Sequence, residues 1–252
     1  MEKKSGIWAA FSAIVIVICI LIGYGAVQTV TAQAGTKDGE PVLISSKDNS
    51  LKPTEGIDTP TESELEDVFT ISADTLETYA WVNEDQCTMP VKEVAVDIQG
   101  LSTGGQYKTD PVLQDTTLGE KGVLVVQPYN GPWNWMSFET IDTIDKVLDA
   151  VWEKYNLSED TPLVLFGRSM GGMGVLNYAR YGEHEVSGVA LNCPVTNLSY
   201  HVTERPDCAS TIYRAYNYYE EGPAAGVEEH DPMNFIDELP DVPYFFVAGE
   251  AD

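Results

Sequence analysis

The stretch Leu163-Val164-Leu165-Phe166-Gly167-Arg168-Ser169-Met170-Gly171-Gly172-Met173-Gly174 decides how this chain is read. An apolar run leads into the pattern G-x-S-x-G, and a helix-like segment follows. A serine on a tight strand-to-helix turn needs small residues two positions to either side, because larger side chains collide with the strand and the helix. The residue after the serine opens the helix, where a backbone N–H stabilises developing negative charge. The stretch therefore predicts a nucleophile at Ser169 and an oxyanion donor in the Met170 N–H.

Outward from this turn, short apolar runs alternate with helical spacing. Strands are expected at 94–98, ending at Gln99-Gly100, then at 122–126, 162–166, 186–191 and 244–248. Two further short strands are expected at 68–71 and 78–82. Between 136 and 155, apolar residues fall at Ile141, Ile144, Leu148 and Val151, which is helical spacing. A second helix is expected at 170–182, with glycines that let it approach the sheet. Alternating strands and helices imply an α/β fold with a mostly parallel sheet covered on both faces. In such sheets the site lies at the carboxyl ends of the strands. Gln99, Gly100, Tyr129, Ser169, Cys193 and Asp252 all follow strand ends, so one edge should gather them. The segment 194–232 breaks the alternation and is rich in tyrosine, including Tyr213, Tyr216, Tyr218 and Tyr219. It reads as a cap-like insertion over the site or as an ordinary surface excursion.

The chain has 252 residues, with 40 acidic against 14 basic side chains and a formal net charge of -26. Such a surface repels nucleic acid and anionic membranes, so a DNA or RNA partner is not expected. Lys3 and Lys4 precede an apolar run over 7–27, and the small-residue site Ala32-Gln33-Ala34 follows. Basic, apolar, small is the order of a secretory signal. The run is also long enough to remain as a membrane tether. Both readings export the remainder, to the cell surface or beyond. The expected divisions are 1–34 as signal or anchor, 35–66 as polar linker and 67–252 as the folded domain. Cys19 lies inside the apolar run. Of Cys87, Cys193 and Cys208, the last two are close enough in sequence to bridge a loop. No Cys/His spacing matches a zinc site.

The motif Gly167-Arg168-Ser169-Met170-Gly171-Gly172, with Asn192-Cys193-Pro194 after the next strand and Gly249-Glu250-Ala251-Asp252 further on, resembles the α/β-hydrolase superfamily. Its prolyl-oligopeptidase-like and dienelactone-hydrolase-like branches are the nearest in look. The resemblance covers about residues 90–252. It implies an α/β-hydrolase fold and a Ser-acid-His triad in that chain order, with no cofactor and no metal. Ser169 and Asp252 carry over as nucleophile and acid, with Glu250 as the weaker acid. The second oxyanion donor falls to the Leu101 N–H, although Gln99 stands where many hydrolases have histidine. The Tyr129 hydroxyl is the alternative. His184, His201 and His230 all precede Asp252. His184 is expected on the far side of the sheet, His230 at the start of a loop, and His201 within the insertion. The triad order thus places the base beyond Asp252, and the expectation is a sequence that lacks its last strand, histidine loop and terminal helix. The functions implied are an exported serine hydrolase of small esters, or a peptidase acting on short peptides. The third is a catalytically inactive binding module.

Overall fold

The computed structural model describes Thr61, Glu66, residues 69–101 and residues 108–249. The expected signal or tether, nearly all of the linker, the turn at 102–105 and the acids Glu250 and Asp252 lie outside these residues.

Six strands form one sheet: β1 (Ala80–Val82), β2 (Glu93–Ile98), β3 (Val123–Pro128), β4 (Leu163–Arg168), β5 (Val186–Asn192) and β6 (Tyr244–Val247). Their order is β1-β3-β2-β4-β5-β6. All neighbours from β3 to β6 pair in parallel, and β1 alone runs antiparallel, against β3. Parallel pairing needs a crossover after each strand. The crossovers include α2 (Leu113–Gly119), α3 (Phe138–Lys154) and α4 (Met170–Tyr181). A short helix α1 (Leu76–Tyr79) precedes β1. Alternation along each strand divides the core. Val94, Val96 and Ile98 of β2 pack with Ile141, Ile144 and Leu148 of α3, and with Met173 of α4. Ala95 points to the other face, against Leu118 of α2. The fold is α/β, a mostly parallel sheet flanked by helices.

The strand expected at 68–71 is not one: Phe69 is helical and Thr70 lies in a bend. Residues 78 and 79 close α1, so only 80–82 of the next expected strand pair. The local reason is side-chain capping. Thr75 Oγ1 donates to the Thr70 carbonyl at 2.6 Å and accepts from the Ser72 N–H at 3.0 Å. These bonds give the backbone a turn in place of a ladder. After β1, Asn83 is fully buried and ties two elements together. Its amide donates to the Asp115 carbonyl at 2.8 Å, and its oxygen accepts from the Val125 N–H at 2.7 Å.

The insertion after β5 is helical: α5 (Leu198–Glu204), α6 (Pro206–Ala215), α7 (Pro223–Glu229) and α8 (Pro232–Phe235). Three of these begin with proline, whose missing N–H costs nothing at a helix start. Its tyrosines divide by role. Tyr216 is fully buried and donates to the Trp135 carbonyl, which pins the insertion to the β3–α3 loop. Tyr213 and Tyr218 are exposed.

Candidate active site

Ser169 sits between β4 and α4 with φ 54° and ψ -120°. This is a left-handed conformation that non-glycine residues adopt only when the surroundings hold them there. Three backbone bonds do so. The Ser169 N–H donates to the Asn192 carbonyl at 3.1 Å, and its own carbonyl accepts from Met173 at 3.2 Å and Val195 at 3.1 Å. The flanking glycines are forced by contact. A Cβ on Gly171 would lie 2.0 Å from the Ile98 carbonyl oxygen, and one on Gly167 would lie 2.5 Å from the Gly171 carbonyl oxygen. Met170 is the first residue of α4, so its N–H is among the helix's unbonded donors.

Carried to the strand ends, the register aligns Ile98 with Gly167, Arg168 with Asn192, and Asn192 with Val247. Gln99, Ser169 and Cys193 therefore emerge on one edge. The loop after β2 lies directly against the serine turn. A Cβ on Gly100 would come within 2.9 Å of the Arg168 carbonyl oxygen and 3.8 Å of the Ser169 Cβ. Leu101 follows it, half-buried against the core. The Tyr129 hydroxyl donates to the Lys108 carbonyl at 3.1 Å. Cys193 has φ 44° and its N–H donates to the Val247 carbonyl at 2.7 Å. Cys193 is exposed while Cys208 is buried in α6, and both remain thiols, so the pairing their spacing permits does not form.

The histidines fall in three places. His230 starts the short connection between α7 and α8, as expected. It is fully buried at the end of α7, with Nδ1 2.9 Å from Asn177 Oδ1 and Nε2 3.1 Å from the Tyr219 hydroxyl. Its ring stacks on Tyr216 at 4.7 Å. Burial pushes its pKa down to about 4, so it is neutral at pH 7. His184 pairs with Asp149 of α3 at 3.1 Å and packs on Trp152. His201 lies in α5 with its ring 5.8 Å from that of Trp135, and burial lowers its pKa.

Beneath the edge, burial pushes the Asp97 carboxyl up to about 6, while Lys108 and Arg168 pull it down and Asp115 adds to the rise. Lys108 and Asp115 themselves pair at 2.6 Å. Among the described residues no cluster of three metal-ligating side chains occurs, and no helix is long and apolar enough to cross a membrane.

A cavity of about 670 Å³ opens between the β3–α3 loop and α6, and nothing in the sequence marked it. Asn130 and Trp133 line it from the loop, Glu139 from α3, and Arg214 and Asn217 from the insertion. The only hint was that Tyr129 follows a strand end.

No protein-family model matches the chain, and no curated protein matches it. Solved structures do. Esterase B from Lactobacillus rhamnosis aligns at 17% identity and TM-score 0.45, over 62% of this chain and 55% of its own. Puromycin hydrolase aligns at 16% and 0.46, over 62% of this chain and 25% of its own. Porphyromonas gingivalis dipeptidyl peptidase 4 aligns at 13% and 0.43, over 64% and 24%. The chain thus matches about half the length of the esterase and a quarter of the other two.

Proposed function

We propose that this chain is a serine hydrolase of ester substrates. The observation that carries the reading is Ser169 itself, held at φ 54° on a glycine-flanked strand-to-helix turn at the start of α4. The Ser169 hydroxyl attacks the ester carbonyl and its proton passes to an imidazole base. The Met170 and Leu101 N–H groups hold the resulting oxyanion. Collapse expels the alcohol, which takes the proton, and water then releases the acid from the acyl-serine. Asp252 orients the base. The contact of Gly100 with the serine turn supports the role given to Leu101. His184 and His230 are engaged in other contacts, so neither is the base in this reading. The basic-apolar-small order of the N-terminus supports export of the domain.

The test uses protein expressed from its full reading frame and a fluorophosphonate probe. Labelling is expected in the parent and absent in Ser169→Ala. Equal labelling of the alanine variant would sink the assignment. p-Nitrophenyl esters and short peptide amides of matched acyl groups then separate an esterase from a peptidase, and esters are expected to turn over faster. The competing reading is a binding module without catalysis. It is favoured by the engagement of His184 and His230, and it expects a folded parent protein that the probe does not label.

A further inference from the structure

The insertion meets the serine helix at a seam built around one imidazole. His230 closes α7 and is fully buried. The Asn177 carboxamide of α4 fixes the tautomer of that ring. Its Nδ2 donates to two carbonyls, those of Met173 and His230, each at 3.1 Å. Oδ1 is therefore the atom that faces the ring, and His230 Nδ1 carries the hydrogen shared between them at 2.9 Å. Nε2 is left bare and accepts from the Tyr219 hydroxyl at 3.1 Å. Both ring nitrogens are thus committed to the neutral form.

A second proton, at Nε2, would turn that acceptor into a donor against a hydroxyl whose hydrogen already points at it. The walls offer rings. Tyr216 stacks on the imidazole at 4.7 Å, Phe138 of α3 lies at 4.8 Å and Tyr181 of α4 at 5.8 Å. The charged groups nearby are bound to one another or to backbone. The Glu229 carboxylate of α7 accepts from the Tyr181 hydroxyl and lies 3.6 Å from Arg180 of α4. Arg180 also pairs with Glu238 at 2.7 Å, and Asp231 accepts from the Ser199 and Met233 N–H groups. Among the described residues no carboxylate bonds the imidazole. Burial lowers the His230 pKa to about 4, outweighing the opposite pull of Glu229, and Arg180 adds to the fall. The charged ring is stabilised by water, which it reaches when α7 leaves α4. The insertion keeps other attachments at its far end. There the Val195 N–H donates to the Ser169 carbonyl at 3.1 Å, and the Trp135 indole donates to Thr211 of α6 at 2.9 Å. Neither involves a charge.

We propose that His230 is a proton-operated latch: the neutral imidazole closes α7 on α4, and its protonation frees α7 while the sheet stays folded. The latch goes beyond the hydrolase reading and does not depend on it. With a pKa of about 4 when closed and the ordinary 6.5 when open, the closed state is fully favoured above pH 6.5. Its equilibrium against the open state falls about twentyfold between pH 7 and pH 5. Hydrogen exchange of the full chain, read by mass spectrometry and corrected for the pH dependence of intrinsic exchange, follows α7 and β4 in parallel. Protection of α7 is expected to fall about twentyfold over that interval, with β4 unchanged. His230→Gln supplies a donor and an acceptor without titrating, so its α7 should be equally protected at both pH values. A second measurement needs no change at His230. The chain has 3 histidines, so the double variant His184→Gln, His201→Gln leaves one imidazole for proton NMR. That resonance should titrate well below the ordinary 6.5 and in step with the loss of α7 protection. The latch is overturned if β4 loses protection together with α7, if acid loosens α7 equally in the parent and in His230→Gln, or if the remaining imidazole titrates at its ordinary value.

Discussion

At the scale of single residues, the serine turn is held by the absence of side chains. Gly171→Ala puts a methyl group 2.0 Å from the Ile98 carbonyl, which belongs to backbone and cannot swing away. Overpacking of this kind costs about 1–3 kcal/mol or more. The expected outcome is a lower melting temperature and loss of phosphonate labelling, and a variant that melts like the parent would contradict the packing. Glu93 offers a second test. It is 8% exposed, its Oε1 has no hydrogen-bond partner among the described residues, and burial pushes its pKa up to about 7 from an ordinary 4.5. Between those values the folded state binds more protons than the unfolded one, so this group's contribution falls as pH rises from 4.5 to 7. Glu93→Gln should therefore melt above the parent at pH 8, by at most about 3 kcal/mol of stability, and alongside it at pH 4.5. Equal melting at both pH values would refute the cost assigned to the buried charge.

At the scale of elements, the insertion is fastened to α4 by a polar core that its tyrosine-rich sequence did not disclose. Asn177 Oδ1 of α4 accepts from His230 Nδ1 at 2.9 Å, and its Nδ2 donates to the His230 carbonyl at 3.1 Å. His230→Ala strips these groups of their ring partner and opens a cavity beside Tyr216. A loss of at least about 2 kcal/mol is expected at pH 7 by chemical denaturation. The folded pKa of His230 lies below its unfolded value, so the parent's benefit fades as pH falls from 6.5 toward 4. The penalty of the substitution should shrink over that range; a pH-independent penalty would place the ring in water. The long periodic elements α3 and α4 and strands β2 to β6 were legible because each carries its own hydrophobic period. α2 was not, because its seven residues are anchored by Asp115, which accepts from the Val112 N–H at 2.7 Å and pairs with the distant Lys108. β1 was legible only in part, since Thr75 caps the turn before it.

At the scale of the whole molecule, a net charge of -26 places the fold under self-repulsion that packing must exceed. Raising sodium chloride from about 20 mM to 200 mM shortens the Debye length from roughly 20 Å to below 10 Å. Melting should then rise, and a gain of about 1 kcal/mol corresponds to about 2–4 °C in a chain of this size. Melting that falls with salt would mean that the few ion pairs outweigh the repulsion.

The sequence by itself determined the mostly parallel α/β sheet and the serine turn, because hydrophobic period and glycine spacing are local properties that need no partner. It also ordered the strand ends along one edge, since parallel strands with helical crossovers all terminate on the same side. Only the tertiary structure decided what the histidines and cysteines do. His230 is withdrawn into a buried stack, and Cys193 and Cys208 are separated by surface and core, because burial depends on residues distant in the chain. The Asn130 cavity belongs to the same class. It exists only where the β3–α3 loop and α6 meet, and no pattern within either segment encodes the space between them.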